Sequence, residues 1–229
     1  MFLISHSSLF LNGPSPPADL NSLPGKIGQQ DVADVVRLTR HALEADHDGA
    51  GKGAFRVRGG KEQQLDGGRV AVVGGSHGGF LGGHLIGQHP GLFKAAALRN
   101  PVCNIPSMAG VTDIPDWCGV EALGIGGYDF AGPYTPAGNG NGNGALERMF
   151  AASPVAHIDA VAAPTILAIG AKDRRVPCSQ GIEFYHALRS RGVPARLLLY
   201  PEDSHPIDRP TSEADHWINV AHWLNEHLK

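Results

Sequence analysis

The feature that most constrains this chain of 229 residues is a glycine-rich turn between two apolar stretches. The run Val70 to Val73 reads as a buried strand, and the residues from Leu81 to His89 are compatible with a helix. Between them stands GGSHGGF, from Gly74 to Phe80. Small residues around Ser76 permit a sharp, strained turn and let the helix pack closely against the strand. The sequence therefore predicts a strand, a tight turn and a helix, with Ser76 at the turn.

The turn fits the GxSxG pattern of a nucleophilic serine, with Gly74 and Gly78 in the two glycine positions. Such an elbow lifts the Ser76 hydroxyl clear of the sheet and directs the His77 backbone N–H toward the oxyanion of a tetrahedral intermediate. The same pattern also occurs in glycine-rich turns with an incidental serine. The flanking strand and helix patterns favour the catalytic interpretation. We expect the His77 imidazole to pack beside the elbow, because a side chain next to the nucleophile points away from it.

Two later loops carry the residues that a serine nucleophile needs. The apolar run Pro164 to Gly170 reads as a buried strand, and Asp173 follows it. The run Ala195 to Tyr200 reads as the next strand, and His205 lies in its loop. Both loops are expected at the carboxyl edge of a parallel sheet, in the chain order Ser, Asp, His. We expect His205 to accept and return the Ser76 proton, while Asp173 fixes the imidazole tautomer.

Asp203 competes with Asp173 for the role of the acid. It lies two residues before His205 in the same loop, which favours a turn residue or a solvated charge. The chain has 12 histidines, so a histidine by itself carries little weight. His205 gains its assignment from the strand before it and from its order in the chain.

Other segments alternate between strand and helix patterns. Apolar residues recur at helical spacing over residues 31–45, with Asp31 placed to cap the helix. Helical patterns return over residues 180–191 and 213–228, and a further strand is predicted over residues 94–98. This alternation indicates an α/β fold with a mostly parallel sheet.

Composition indicates a single domain and argues against several classes of function. The net charge of −3 offers no basic field for nucleic acid, and no apolar run is long enough to span a membrane. The apolar start, Met1 to Leu11, lacks a preceding positive segment and a clear cleavage site, so we expect no secretory signal. The three cysteines show no metal-ligand spacing. We therefore expect a cytoplasmic protein with reduced thiols and no bound metal.

Two stretches interrupt the alternation. The repeat GNGNGNG, from Gly138 to Gly144, cannot bury apolar surface and is predicted to be a flexible insertion on a loop. The second stretch, residues 108–134, carries Trp117, Phe130 and Tyr134 among glycines and prolines. These aromatic side chains are candidates for the wall of a substrate pocket, or for a packed lid that does not contact a ligand.

Six blocks of sequence carry a family resemblance: SLPGKIGQQDV from Ser22, GGSHGGFLGGHLIG from Gly74, RNPVCNI from Arg99, TDIPDWC from Thr112, KDRRVP from Lys172 and LLLYPEDSH from Leu197. From about Leu20 onward the chain closely resembles the acylaminoacyl peptidases, also called acylamino-acid-releasing enzymes or acylpeptide hydrolases. They are a branch of the prolyl oligopeptidase family of serine peptidases. The resemblance implies an α/β-hydrolase fold, the triad Ser76, Asp173 and His205, and no cofactor. The implied reaction releases an N-acylated, typically N-acetylated, amino acid from a blocked peptide.

The sequence departs from this family at its start. The family's N-terminal β-propeller, its HGGP loop and its NYRGS-like segment have no counterpart, and Met1 to Asp19 does not align. We therefore expect an unaligned segment, 1–19, and a partial α/β-hydrolase domain, 20–229, that lacks its first strands. The elbow strand, Arg69 to Val73, would then present an unpaired edge that promotes a homo-oligomer. Alternatively, Met1 to Ile4 replaces the missing strand.

Two classes of function remain open. The first is an active serine hydrolase, most specifically an acylaminoacyl peptidase, or a broad esterase if the loss of a propeller removes size selection. The second is a weakly active or inactive fragment that acts only as a binding module. It is suggested by the missing HGGP loop, which leaves the His77 N–H as the one identified oxyanion donor. The complete set of Ser76, Asp173 and His205 favours the first class.

Overall fold

The computed structural model describes residues 2–4, 27–44, 54–56, 62–64, 66–124 and 144–229. The strands among them are β1 (Phe2–Ile4), β2 (Ala54–Arg56), β3 (Glu62–Gln64), β4 (Ala71–Gly75), β5 (Ala95–Arg99), β6 (Thr165–Gly170) and β7 (Ala195–Tyr200). The helices are α1 (Gln30–Glu44), α2 (His77–Gln88), α3 (Ile105–Ala109), α4 (Pro115–Leu123), α5 (Ala145–Ala151), α6 (Ser179–Ser190) and α7 (Pro210–His227), with a 3₁₀ helix over Pro154–Ala160.

Five strands form one parallel sheet in the order β1, β4, β5, β6, β7, and β2 pairs with β3 in a separate antiparallel ribbon. Helices cover both faces of the sheet. Val72 belongs to the larger core cluster with Phe80 of α2, whereas Val73 belongs to a smaller cluster with Trp223 of α7. Burial on both faces explains why β4 reads as a continuous apolar run. The predicted α/β class with a mostly parallel sheet is confirmed.

The helix that follows Ser76 begins earlier than its apolar pattern indicated. The sequence predicted helix over Leu81 to His89, but α2 starts at His77, directly after the serine. The glycines of the turn are compact enough for the helix to begin within the elbow itself. Elsewhere the predicted strands and long helices agree with the structure within a few residues. The short helices α3 and α4 lie within or beside the stretch 108–134, which the sequence pattern showed only as an interruption.

The first described strand covers the edge of β4. β1 pairs with β4 in parallel, with Leu3 opposite Val73 and Ile4 opposite Gly74. The expectation that Arg69 to Val73 would present an unpaired edge is therefore wrong along the paired residues. The alternative, in which Met1 to Ile4 supplies a strand, describes the structure for Phe2–Ile4. Buried backbone N–H and C=O groups need partners, which is the physical reason for this recruitment.

Two sequence expectations fall largely outside the described residues. Of the insertion at 138–144, only Gly144 is described, and it precedes α5 with a φ of 71°. Phe130 and Tyr134 also lie outside the described ranges. Among the helices that the structure describes, none is long and apolar enough to cross a membrane.

Candidate active site

The turn between β4 and α2 holds Ser76 in a strained backbone conformation. Its φ is 56° and its ψ is −121°, which is uncommon for a residue with a side chain. A β-carbon on Gly74 would overlap the backbone carbonyl of Gly78, and one on Gly79 would lie 2.8 Å from the Pro101 β-carbon. The elbow thus depends on the absence of side chains at specific positions. Its effect is to place the Ser76 hydroxyl at the carboxyl edge of the sheet.

Three side chains from three separate loops meet at this edge. Ser76 Oγ lies 2.9 Å from His205 Nε2, and His205 Nδ1 lies 2.6 Å from Asp173 Oδ2. A carboxylate can only accept a hydrogen bond, so this network assigns the imidazole proton to Nδ1. Nε2 is then the acceptor for the Ser76 hydroxyl. The arrangement is chemically able to remove a proton from the serine.

The Asp173 side chain is fully buried, and the carboxylate oxygen that does not face His205 accepts backbone hydrogen bonds. Its Oδ1 accepts hydrogen bonds from the backbone N–H groups of Arg175 (2.9 Å) and Val176 (3.0 Å). Oδ2 is thereby turned toward His205, whose side chain is 14% exposed. This division fixes which oxygen can serve the imidazole.

Asp203 is also buried, with 2% of its surface exposed, but its carboxylate holds the chain that leads into α7. It accepts a hydrogen bond from the Ser212 hydroxyl at 2.6 Å and one from the Arg209 backbone N–H at 3.3 Å. The alternative of a solvated charge is therefore wrong. Asp203 is a turn residue whose charge is compensated by donors from the start of the following helix.

His77 begins α2, so no preceding helical turn supplies a carbonyl to accept its backbone N–H. Its ring stacks on Phe80 with 5.7 Å between centroids and meets Trp117 edge-on at 6.0 Å. Its Nε2 lies 4.0 Å from Asp31 Oδ2. Burial lowers the pKa of His77, and the Asp31 carboxylate opposes this shift. The imidazole thus packs between α2 and α4, as the sequence predicted for its side chain.

The TDIPDWC block docks onto the loop that carries Asp173. The Thr112 hydroxyl donates to the Arg175 carbonyl at 2.5 Å, and the Asp113 N–H donates to the Arg174 carbonyl at 3.0 Å. Trp117, at the other end of the block, reaches His77. This block therefore connects the turn that carries Ser76 to the loop that carries Asp173, a role that its composition did not reveal.

Arg99 and Asn100, at the end of β5, are the residues that sequence reasoning missed. The sequence showed them only as the end of a strand within the RNPVCNI block. In the structure their side chains donate to the backbone carbonyls of the loop around His205. The available signal was a pair of polar residues at the carboxyl end of a buried central strand.

The described residues contain no group of three or more His, Cys, Asp or Glu side chains that could hold a metal ion. Cys103, Cys118 and Cys178 are all free thiols. Burial raises the pKa of Cys103 well above its usual value and that of Cys118 to about 12. These two thiols are therefore held in the neutral, weakly nucleophilic form.

Comparison with known proteins places these features in a family. A family model described as the prolyl oligopeptidase family matches residues 59–229. The acylamino-acid-releasing enzyme of Arabidopsis thaliana is 43% identical to this chain over 92% of the chain. That of Mus musculus is 44% identical over 90% of it. The chain spans only 24% and 25% of those two proteins, about a quarter of their length.

Solved structures show the same fold. An acylaminoacyl peptidase from Pyrococcus horikoshii superposes with a TM-score of 0.71 at 20% identity, covering 91% of this chain and 30% of that one. A puromycin-hydrolyzing peptidase from Mycobacterium tuberculosis superposes with a TM-score of 0.70 at 22% identity, covering 91% of this chain and 27% of that one. The fold described above is therefore that of solved peptidases.

Proposed function

The chain belongs to the prolyl oligopeptidase family, as its sequence blocks predicted, and from this premise we propose that it is a serine hydrolase of the acylaminoacyl peptidase type. Its proposed reaction releases an N-acylated, typically N-acetylated, amino acid from a blocked peptide. The observation that carries the proposal is the continuous hydrogen-bonded series from Ser76 through His205 to Asp173. The names of the similar curated enzymes, which release acylamino acids, support the choice of substrate class.

In the proposed reaction, Ser76 Oγ attacks the carbonyl carbon of the acylated residue while its proton passes to His205 Nε2. The C–N bond then breaks, and the protonated imidazole returns that proton to the departing amine. The product of this half is an ester between Ser76 and the N-acylamino acid. Water, deprotonated by His205, hydrolyses the ester and regenerates the serine. Asp173 stabilises the charged imidazole in both halves.

The backbone N–H of His77 is proposed as a donor to the oxyanion of each tetrahedral intermediate. It is the first residue of α2, where the helix dipole is positive and backbone N–H groups are not used within the helix. One such donor is typically worth about 10²- to 10³-fold in turnover.

Trp117, Phe130 and Tyr134 are proposed to line the pocket for the acylated residue. For Trp117 the support is its edge contact with the ring of His77, directly beside the nucleophile. The other two lie in the part of the chain that the structure does not describe, so they are retained on sequence grounds alone.

The domain organisation, location and assembly are also proposals. Residues 20–229 are assigned to the catalytic domain, after the segment 1–19 and with the glycine and asparagine insertion at 138–144. The free thiols support a reducing, cytoplasmic location. A homo-oligomer is supported by the outer strand β7, where Leu199 is 50% exposed. Analytical ultracentrifugation would test this assembly, and a monomer at micromolar concentration would contradict it.

A fluorophosphonate probe, which reacts covalently with activated serines, tests the nucleophile. The protein should be labelled, Ser76→Ala should not, and Ser190→Ala should be labelled normally because Ser190 lies on the exposed surface of α6. Equal labelling of the Ser76 variant and the unchanged protein would contradict the assignment.

Substrate class is tested by comparing acetyl-alanine p-nitroanilide with unacylated alanine p-nitroanilide and a simple p-nitrophenyl ester. Preference for the acetylated anilide supports the acylaminoacyl peptidase proposal. Hydrolysis of the ester alone would support a broad esterase instead. Absence of both labelling and turnover would favour a binding module.

A further inference from the structure

Backbone strain in the described residues collects around the site. Apart from glycine, φ is positive at three of them: Ser76 (56°), Asn100 (39°) and Ile207 (48°). Asn100 directly follows β5, and Ile207 lies two residues after His205. Such conformations are energetically unfavourable and persist only where the surroundings enforce them. Isoleucine is especially unfavourable there because its side chain is branched at the β-carbon.

The side chain of Asn100 joins the strand before Asp173 to the loop around His205. Its Oδ1 accepts a hydrogen bond from the Gly170 N–H at 2.8 Å, at the last residue of β6. Its Nδ2 donates to the carbonyl of His205 at 2.8 Å and to that of Ser204 at 3.4 Å. The partners fix the amide orientation, since an N–H can only donate and a carbonyl can only accept.

This amide bridge is buried and closely fitted. Asn100 is 2% exposed, so water cannot replace its hydrogen bonds. The loop passes so close to β6 that a β-carbon on Gly170 would overlap the Ser204 carbonyl oxygen. The position of the loop is therefore set jointly by this close approach and by the two ends of one asparagine side chain.

The preceding residue, Arg99, also forms hydrogen bonds to these segments. The Arg99 carbonyl accepts the Ser76 backbone N–H at 2.9 Å, and Arg99 Nη1 donates to the Pro206 carbonyl at 2.8 Å. Arg99 and Asn100 together therefore contact the nucleophile turn, the end of the acid strand and three consecutive carbonyls of the histidine loop.

We propose that Asn100 is a positioning residue that sets the orientation of His205 between Ser76 and Asp173. It acts through the backbone of the histidine loop and has no contact with substrate. This role rests on the proposed function, in which His205 is the general base. The imidazole must hold its Nε2 atom 2.9 Å from Ser76 Oγ and, at the same time, its Nδ1 atom 2.6 Å from Asp173 Oδ2. A displacement of about 1 Å can cost about 10²-fold in rate.

Asparagine is the residue that meets all three local requirements. It tolerates the left-handed backbone, and it supplies both an acceptor for Gly170 and a donor for His205. Aspartate shares the shape and the backbone tolerance but presents an oxygen to two carbonyl oxygens. Asn100→Asp therefore removes the donor selectively. Asn100→Gly keeps the backbone conformation accessible and removes all three side-chain hydrogen bonds.

The experiment compares Asn100→Asp and Asn100→Gly with Asn219→Asp, a control whose amide donates only within α7, to the Asp215 carbonyl. For both Asn100 variants we expect kcat on acetyl-alanine p-nitroanilide, per active site titrated, to fall about 10- to 100-fold. KM should stay within about twofold, because no substrate contact is removed. The fluorophosphonate labelling rate should fall by the same factor as kcat, and the control should match the unchanged protein.

A spectroscopic measurement separates positioning from a loss of folded protein. The proton between His205 Nδ1 and Asp173 should give a far-downfield NMR resonance, which should shift or broaden in the folded Asn100 variants. An unchanged resonance, or unchanged kcat in both variants, would overturn the inference. Because the resonance is read without substrate, it tests Asn100 even if the unchanged protein proves inactive, an outcome that would count against the proposed function alone. If Asn100→Asp does not fold, Asn100→Gly carries the test.

Discussion

The two sides of the site are built by different physical means. On the nucleophile side, the turn from β4 to α2 is shaped by glycines, and Gly74 allows its backbone to approach that of Gly78. On the other side, the loops after β6 and β7 are held by hydrogen bonds between residues distant in the chain, as in the bridge from Asn100 to His205. The first geometry depends mainly on missing side chains, and the second mainly on buried polar partners, together with the close backbone approach at Gly170.

This difference predicts how each side fails. In the Ser76 turn, a β-carbon on Gly74 would meet backbone rather than a flexible side chain, so an added atom there forces the backbone apart. The loops that carry Asp173 and His205 contain many hydrogen-bond donors and acceptors. A change of one polar atom there can therefore alter turnover without altering stability, or the reverse. Substitutions chosen on the two sides should therefore give distinct signatures.

The largest effect is expected for Gly74→Ala. Its β-carbon would overlap the Gly78 carbonyl, and neither backbone can yield without opening the elbow. We expect destabilisation of about 3 kcal/mol or more and no fluorophosphonate labelling. Gly91→Ala is the matched control, since nothing lies within 4 Å of its β-carbon. Thermal melts in which the two variants coincide would show that the turn is not sterically determined.

Next in size is the loss of turnover in Asp173→Asn. The asparagine oxygen must accept the N–H groups of Arg175 and Val176, so its amide would face His205. A donor at that position favours the wrong imidazole tautomer, and a loss of about 10⁴-fold in kcat follows. Melting temperature should change little. Steady-state kinetics beside a melt would test this, and full activity would show that Asp173 is not the acid.

A third prediction concerns how the stability of the protein depends on pH through His84, a buried histidine of α2. Burial, reinforced by nearby His157, lowers the pKa of His84 on α2 to about 3. His84 binds a proton near pH 6.5 in the unfolded chain but not in the folded protein. Its contribution to the free energy of unfolding is therefore fully present above pH 6.5 and is lost as the pH falls from 6.5 to 3. At pH 4.5 this loss should reach about 2–3 kcal/mol.

Urea unfolding of the unchanged protein and of His84→Gln at pH 7.5 and 4.5 measures this pH-dependent loss of stability. The variant should lose less stability than the unchanged protein between the two pH values. Burial also lowers the pKa of His216 to about 4, so part of the pH dependence should remain. An identical pH dependence in the two proteins would exclude His84 as its source.

The smallest effect is expected for Asp203→Asn, the counterpart of Asp173→Asn within the same region. Its carboxylate accepts the Ser212 hydroxyl and the Arg209 N–H, and an amide can keep only one acceptor oxygen. We expect about 1–2 kcal/mol of destabilisation with kcat reduced less than tenfold. If this variant lost turnover while Asp173→Asn kept it, the roles of the two carboxylates would be reversed.

Much of the fold could be predicted from the sequence because it depends on local patterns. Apolar runs gave the central strands, helical spacing gave the long helices, and the glycines around Ser76 gave the turn. Asp173 and His205 could be selected because each follows a strand at the same sheet edge. Short helices such as α3 and α4 escaped detection, since a segment of one or two turns shows too little periodicity.

What only the tertiary structure decided are the contacts between distant segments. The pairing of Phe2–Ile4 with β4 and the bridge made by Asn100 both join residues far apart in the chain. Hydrogen bonds of this kind leave no periodic trace, because any polar residue at a strand end could make them. The sequence by itself determined which residues are the candidates for the chemistry. The folded chain decided what holds those residues at bonding distance, since a buried polar group must find its partner wherever the fold brings one.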